Sequence, residues 1–534
     1  MLIRDKLEQI VGMKPEHPER EEWGDWAVFV KSKEQAKLIV NKLKKEEFVD
    51  SVEVVGSFIN VRLKIRYLVS QMFPVLNKKT GRVIVEYSSP NIAKSFGIGH
   101  LRSTIIGQAL YNIYESLGYE VIGDNHLGDW GTQFGKLLCM LNGQGSTLSV
   151  EDLEKLYVQY HKAPEDDKAR QWFKRLEEGD KPARKLWESC VQISVREFDK
   201  IYKLLGVKID NAYGESFYED LMKEVVADAA SVARKSQGAL IIDIPGHPPL
   251  MLLKSDGTTT YATRDLATLK FRRQKWDPDI IIYEVGAEQT LHFVQVFAAA
   301  RMLWYVREGC NLIHTKHGLY LGPDGKKFAT RTGRTIKLEE VLQEAIELAK
   351  KFNPDAKIAT AVGIGAIKYF DLSHNIQSDI VFDWEKVMAL EGNSGPYLQY
   401  TFARTQSVLR KAGNSPSATA GPSLKLREGN KRGELNLEEL RVLRWIYRWP
   451  EVVEEAAERL APNLICNFIY ELAQRFNGFY NKHRILTPSE SPPNLGGDTE
   501  GEGVRDFRLA LTDAVGRVLK AGLEMLGIKA LDRM

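Results

Sequence analysis

Cysteine, charge of one sign and long apolar runs are all scarce in this chain. The four cysteines among 534 residues, Cys139, Cys190, Cys310 and Cys466, stand far apart and form no C-x-x-C pair. That spacing argues against a disulfide framework and a sequence-local zinc site, and predicts a reducing, cytoplasmic setting. The net charge is only +3, so any nucleic acid must be met by local basic surface rather than by the field of the whole molecule. No apolar segment approaches the roughly 20 residues of a membrane-spanning helix. The charged opening, residues 1–8, predicts no secretory leader. What is present is ordinary for a globular chain, 43% hydrophobic and 27% charged residues, over a length that suggests about two to four domains.

The most informative stretch runs from Val83 to Gly118. The run Val83-Ile84-Val85 has the β-branched content of a strand buried on both faces, and Pro90 ends it. After Lys94 and the loop Gly97-Ile98-Gly99-His100, the residues Leu101, Ile105, Ile106, Leu110, Ile113 and Leu117 recur at helical spacing, and Gly118 suits the helix end. Glu120-Val121-Ile122 reads as the next strand. A βαβ unit places its glycine-bearing loop at the carboxyl edge of a parallel sheet, where a helix start favours phosphate. The nucleotide is not a dinucleotide held by G-x-G-x-x-G, because Arg102 replaces the third glycine, and no Walker lysine follows the loop.

The remaining chain is organised around this unit. Residues 1–77 read as a small α+β module, with a strand at 27–30, a helix over 35–43 and two strands around Gly56. Gly123 to Gln133, three glycines among polar side chains after a strand, reads as a site-forming loop. Residues 139–235 are charged and helical, an insertion with a solvated face, after which Ala239–Asp243 and Met251–Leu253 read as a return of the sheet. Tyr261 and Asp265 are four apart and share a helix face; spacing alone leaves a simple surface hydrogen bond as the commoner explanation. Strand patterns stop near residue 370. Residues 401–433 carry seven Lys/Arg (Arg404, Arg410, Lys411, Lys425, Arg427, Lys431, Arg432) against Glu428 alone, a candidate phosphate patch.

The string VEYSSPNIAKSFGIGHLRSTIIGQAL closely resembles the nucleotide-binding segment of arginyl-tRNA synthetases, class I enzymes with an H-x-G-H motif. Gly97 stands where the family has its first motif histidine, and His100 is the second. HLGDWGTQFG, the Tyr261/Asp265 segment, VGAEQTLHF and GPYLQYTFAR follow in family order, so the resemblance spans the chain. It implies a multidomain α/β protein. Its parts would be an α+β N-terminal tRNA-contacting domain (1–77), a Rossmann-type parallel-sheet catalytic domain (78–375, helical insertion about 139–235) and an all-α anticodon-binding domain (376–534). It further implies activation of L-arginine by ATP, with Mg²⁺, and transfer to tRNA(Arg) by a monomeric cytoplasmic enzyme without a membrane anchor or a resident metal site. A dehydrogenase is disfavoured by Arg102; a tRNA-binding relative without catalysis is the other alternative.

Carried over by position, the resemblance assigns catalysis to His100 and Lys327. Arginine would be held by Glu86, Ser89, Pro90, Asn91, His100, Tyr261, Asp265 and Gln289. ATP would meet Lys94, Gly97, Gly99, His100, Gly286, Lys326, Lys327, Phe328 and Arg331. The segment Lys327-Phe328-Ala329-Thr330-Arg331 aligns with the family's KMSKS loop, with Thr330 at the second lysine. The tRNA contacts would be Tyr397, Tyr400, Arg404, Tyr480 and Met534, with Phe479 a further base contact.

Overall fold

Strand content in the computed structural model follows apolar patterning closely in some segments and departs from it in others. The structure describes residues 2–141, 148–162, 164–322, 325, 337–413, 435–486 and 502–534. Lys326, Lys327, Phe328 and Arg331, and Lys425, Arg427, Lys431 and Arg432 of the basic patch, lie outside the described residues. Two compact units are formed: 79–388 with 525–527, and 1–78 with 389–524 and 528–534.

The N-terminal part of the second unit contains α1 (Ile3–Val11), β1 (Trp26–Phe29), α2 (Lys33–Leu43), β2 (Val49–Val55), β3 (Phe58–Leu63) and α3 (Ile65–Ser70). The strands form an antiparallel sheet in the order β1-β3-β2. As the sequence suggests, β2 and β3 meet around Gly56, whose φ of +60° suits a two-residue hairpin turn. Ser32 caps α2 by accepting the Gln35 N–H at 3.2 Å.

The other unit is built on β4 (Arg82–Glu86), α4 (Gly99–Ser116) and β5 (Glu120–Leu127), the βαβ read from the sequence. It continues with α5 (Thr132–Leu141), α6 (Val150–Lys162), α7 (Asp166–Glu177), α8 (Lys181–Leu205), β6 (Asn211–Gly214) and α9 (Glu219–Asp228). Then come β7 (Ala233–Ser236), β8 (Ala239–Ile242), β9 (Leu250–Leu253), α10 (Tyr261–Lys275), β10 (Ile280–Tyr283), α11 (Thr290–Met302) and β11 (Asn311–His314). The unit closes with β12 (Tyr320–Leu321), α12 (Leu338–Lys350), α13 (Ala356–Leu372), β13 (Ile380–Val381) and α14 (Trp384–Val387).

All pairings in the central sheet, ordered β11-β10-β4-β5-β6, are parallel. The chain therefore winds outward from β4 through β5 and β6, then returns to the opposite side at β10. The crevice between the carboxyl ends of β4 and β10 is the topological switch point where ligands bind in such sheets. Val83, Ile84 and Val85 have no exposed surface, as their uninterrupted apolar run requires. α4 is buried nearly all round, so its polar residues lie in the interior too. Arg102, the residue that breaks the dinucleotide fingerprint, ion-pairs with Asp371 at 3.3 Å and donates to the carbonyls of Ser378 (2.7 Å) and Ile376 (3.2 Å). It clamps α4 to the end of α13.

Three expectations need correction. Ala239–Asp243 and Met251–Leu253 do not rejoin the parallel sheet; β7, β8 and β9 form a separate antiparallel sheet. A short apolar run carries no information about its partner strand. The stretch 139–235 is not wholly helical, because β6 is an edge strand of the central sheet; its four residues, Asn-Ala-Tyr-Gly, have no apolar run to announce them. Strands do not stop near residue 370, since β13 pairs with β12.

The helices α15 (Gly395–Lys411), α16 (Leu437–Ile446), α17 (Trp449–Glu458), α18 (Pro462–Lys482) and α19 (Glu502–Met525) complete the second unit. The N-terminal module is bound to them through charges. Asp25, fully buried, accepts the Leu63 N–H at 2.7 Å and faces Arg444 at 3.2 Å. Glu21 pairs with Arg475 at 2.8 Å, and His17 lies 3.1 Å from Glu451.

One close approach in the first unit sets the crossing of helix and strand. A Cβ added at Gly107 would lie 2.2 Å from Tyr87 Cβ, so Gly107→Ala forces α4 away from the end of β4. The expected cost is about 1–3 kcal/mol, the usual range for overpacking, read as a lower denaturant midpoint at unchanged slope.

Candidate active site

The loop leaving β4 is strained, and its neighbours hold it in place. Ser88, Ser89 and Ala93 have φ of +74°, +44° and +62°, a region that costs non-glycine residues energy and persists only where surroundings enforce it. The Ser88 N–H donates to Ser103 Oγ (2.9 Å), the Ser89 N–H to Asn125 Oδ1 (3.0 Å) and the Ala93 N–H to Ser194 Oγ (2.9 Å). Pro90 O accepts the Gly128 N–H, and Gly128 O the Ile92 N–H, both at 3.1 Å. Between them sits Asn91, in a space that a Cβ at Gly128 would fill, since that carbon would lie 2.2 Å from Asn91 Oδ1. The glycine-rich segment after β5 is thus the wall against which Asn91 is placed.

His100 stands in the first turn of α4. The Gly97 N–H donates to its Nδ1 at 3.1 Å. A backbone N–H can only donate, so Nδ1 is the acceptor and the neutral ring carries its proton on Nε2. The imidazole at this helix start is therefore a donor, in line with the positive end of the helix dipole. Gly97 also pairs with Lys337, the Leu338 N–H donates to Phe96 O (2.9 Å), and Lys337 is bonded to Glu151 at 2.7 Å. The start of α12 is by this means fastened beside His100. Lys94 is exposed and Gly99 opens α4.

Beneath the loop lies a charged floor. Arg272 has no exposed surface and donates to two carboxylates: Nη2 to Glu86 Oε2 (2.5 Å), and Nη2 and Nε to Asp124 Oδ2 (2.7 and 3.0 Å). One guanidinium thus serves two buried acids. Burial raises Glu86 above the usual carboxylate range although Arg272 pulls it down. Arg272 stays charged: burial opposes the cation, but Glu86 and Asp124 outweigh that and lift it well above its ordinary value. Glu86, assigned to arginine binding from the sequence, is therefore already engaged by an arginine of the chain itself. Its Oε1 has no hydrogen bond among the described residues.

α10 runs from the mouth of the site to this floor. Tyr261, Asp265, Thr268 and Arg272 follow at steps of four, three and four and so share one face. Tyr261 is 65% exposed and lies over Arg264, 5.2 Å from ring centroid to guanidinium. No hydrogen bond joins it to Asp265. Instead Asp265 Oδ2 lies 2.5 Å from His292 Nε2. Burial opposes the His292 cation, but Asp265 raises it above the ordinary imidazole value. Gln289 is exposed in the turn before α11, and Gly286 pairs with His317. Ser89 Oγ is buried without a partner among the described residues. The structure thus brings Glu86, Asn91, His100 and the α10 face to one sheet edge.

Sequence reasoning placed Asp124 in a site-forming loop without giving it a role, and missed Arg272 and His292, and also Glu284, which accepts from Thr315 and from His317 Nδ1 (2.8 Å). Arg272 had a signal, seven residues after Asp265 on the same face; Glu284 had none, because its partners come from beyond β11.

The helical part of the second unit carries a groove of about 630 Å³, lined by Tyr400, Arg404, Arg410, Lys411, Tyr480 and Met534 among others. Arg404 lies 5.1 Å from the Tyr400 ring and 5.0 Å from that of Tyr480, a cation between two aromatic faces. Two residues differ from expectation. Tyr397 does not line the groove; its hydroxyl accepts from Asn477 (2.8 Å), whose Oδ1 accepts from Arg404 (2.5 Å). It is a support for Arg404. Phe479 is fully buried and belongs to the helix core.

Replacing Arg272 by Met leaves Glu86 and Asp124 as uncompensated buried charges. The expected loss is about 3–5 kcal/mol at neutral pH, measured by chemical denaturation. The loss shrinks as the pH falls, because protonating the two acids removes the charge that Arg272 balanced.

Known proteins match the chain along its whole length. The family described as tRNA synthetases class I (R), catalytic domain, matches residues 66–384, and the DALR anticodon binding domain matches 398–534. The arginine--tRNA ligase of Chloroflexus aggregans is 38% identical over 524 residues, covering 92% of this chain and 88% of that protein. Arginine--tRNA ligase 2 of Bacillus anthracis is 39% identical over 561 residues, covering 97% and 95%. Among solved structures, Thermus thermophilus arginyl-tRNA synthetase superimposes with a TM-score of 0.81 at 25% identity, covering 100% of both chains.

Proposed function

This chain belongs to the class I arginyl-tRNA synthetases, and we infer from that membership and from its site that it attaches L-arginine to tRNA(Arg) at the expense of ATP. The arginine carboxylate attacks the α-phosphorus of ATP, the bond to the β-phosphate breaks, and pyrophosphate leaves. A terminal ribose hydroxyl of the tRNA then attacks the activated carbonyl, losing its proton, and AMP departs. Mg²⁺ enters with the ATP phosphates; the described residues offer no cluster of three metal-ligating side chains. No described helix is long and apolar enough to cross a membrane, and within this reading the enzyme is a cytoplasmic monomer.

The observation that carries the assignment of arginine is the charge balance of the α10 face. Asp265 is close enough to Glu86 to act on its charge, and one guanidinium, that of Arg272, is set against two acids, Glu86 and Asp124, so a second guanidinium restores the balance. A planar, five-donor cation suits carboxylates fixed at separate points far better than a lysine ammonium does. Tyr261 and Gln289 lie at the mouth, and Ser89, Pro90 and Asn91 form the loop that meets the amino-acid end. His100, donating from Nε2 at a helix start, with Gly97, Gly99, Gly286 and Lys94 nearby in the fold, suits the phosphates and ribose of ATP. Lys326, Lys327, Phe328 and Arg331 complete the ATP site in this reading. Such chemistry needs positioning and charge stabilisation more than proton transfer.

Tyr400, Arg404, Tyr480 and Met534 form the anticodon contact in the groove, where exposed aromatic rings accept unpaired bases and the surrounding arginines their phosphates.

Two variants separate these roles in steady-state arginylation. Asp265→Asn is expected to raise KM for arginine about 100-fold, consistent with about 2–5 kcal/mol for truncating one partner of a desolvated charge pair, with KM for ATP nearly unchanged. An unaltered arginine KM removes Asp265 from the pocket. Arg404→Ala is expected to raise KM for tRNA about tenfold, a stacked cation's share of about 1–2 kcal/mol, and to leave arginine and ATP untouched. No ATP-dependent arginylation of any tRNA(Arg) by the parent chain overturns the whole reading.

A further inference from the structure

The loop that leaves β4 holds the strained backbone of the site, and one helix of the insertion lies along it. Ser194, Phe198 and Tyr202 of α8 follow at steps of four, so they form one stripe, and all three are buried. Each holds a different point of the loop. Ser194 Oγ accepts the Ala93 N–H at 2.9 Å, and the Phe198 ring meets that of Phe96 edge-on, 5.6 Å between centroids. The Tyr202 hydroxyl lies 2.8 Å from Ser88 Oγ. A charged helical stretch is usually solvated cover; this one has an inner face matched to the loop point by point.

The Tyr202 hydroxyl stands inside a chain of hydrogen bonds that runs in one direction. Asn125 donates to it through Nδ2 at 3.0 Å. On its other side lies Ser88 Oγ, itself 2.9 Å from Thr104 Oγ1, and Thr104 donates to the His100 carbonyl at 2.7 Å. An amide nitrogen can only donate and a carbonyl can only accept, so the three hydroxyls between them all point the same way. Ser88, Thr104 and Asn125 are buried, so a missing member leaves its neighbours unsatisfied.

The same hydroxyl decides which way Asn125 faces. The Ser89 N–H can only donate, and it meets Asn125 Oδ1 at 3.0 Å. Tyr202 takes Nδ2, and the amide therefore turns Oδ1 toward Ser89. Tyr202 thus acts on both residues of the left-handed turn, on Ser88 (φ +74°) directly and on Ser89 (φ +44°) through Asn125. Backbone of this kind costs energy and persists only while its surroundings enforce it. The far end of the loop has separate holders. They are Ser194 at Ala93, Glu154 accepting from Ser95 Oγ at 2.6 Å, and Leu338 donating its N–H to Phe96 O at 2.9 Å.

We propose that Tyr202 is a positioning residue for amino-acid activation. Its hydroxyl, delivered by α8 to the root of the loop, sets the turn at Ser88-Ser89 and thereby the placement of Pro90 and Asn91, without touching arginine or ATP. This rests on the reading of that loop as the one that meets the amino-acid end of arginine. The turn lies at the arginine end, and the ATP end is fastened independently, so loss of the hydroxyl falls on one substrate and spares the other.

The test is steady-state arginylation by the full chain and by Tyr202→Phe, which keeps the ring and its 5.9 Å edge contact with Phe96. KM for arginine is expected to rise about threefold to tenfold, the share of one buried hydrogen bond, with KM for ATP within about twofold. A residue that serves stability alone lowers kcat in proportion to the folded fraction and leaves both KM values where they were. Ser88→Ala removes the same contact from the loop's side and should show the same selective rise. The double variant should be no worse than Tyr202→Phe alone, because the two residues act through one chain. An arginine KM equal to the parent's, equal losses toward arginine and ATP, or single effects that multiply in the double variant overturn the proposal. If Tyr202→Phe does not fold, as judged by circular dichroism, Ser88→Ala carries the test with the same two outcomes for its KM values. A parent chain that arginylates no tRNA overturns the underlying reading instead.

Discussion

The catalytic unit depends on a single guanidinium, that of Arg272, held between two buried carboxylates. Glu86 ends β4 and Asp124 lies on β5, so Arg272 ties helix α10 to two adjacent strands of the sheet. Taking three charges out of water is costly, and a hydrophobic floor of equal volume would make a stabler fold. What the charges provide is a fixed electrostatic field. With two acids against one base, the floor is short of positive charge.

Around that floor, the site is held open by backbone in conformations that the chain would not choose alone. Ser88, Ser89 and Ala93 sit at positive φ, and each has its N–H or that of a neighbour fixed by a side chain from another element. Glycines do complementary work at Gly128 and Gly214, where any side chain would displace Asn91 or Asp129. Rigid placement of this kind is what adenylate formation requires, because reaction at a phosphorus centre gains more from orientation than from acid–base groups. His100 fits the same logic. Its ring is oriented by the backbone N–H of Gly97.

In the other unit the groove is organised differently, around an arginine stacked between Tyr400 and Tyr480 and steadied by Asn477 and Tyr397. Arg410 and Lys411 line the same groove. The N-terminal module joins the same unit through the ion pairs of Asp25 and Glu21 and through His17, 3.1 Å from Glu451.

Much of this was legible in sequence. The strand at Val83, the helix from Gly99, the shared face of Tyr261 and Asp265 and the helical end of the chain all follow from local periodicity, which depends on the backbone repeat and on nothing distant. The family followed from the order of several motifs. The strand Asn211–Gly214 and the antiparallel pairing of Ala239–Ile242 were not legible, because strand pairing is a property of two segments and neither encodes its partner. The same reason separates the assigned residues from their partners. Sequence by itself determined which elements form and which residue types reach the sheet edge. Only the tertiary structure decided that Glu86 is met by Arg272, that Asp265 is met by His292 and that Tyr397 is joined to Arg404 through Asn477, since hydrogen bonding and burial are settled by what the fold brings within 3 Å or so.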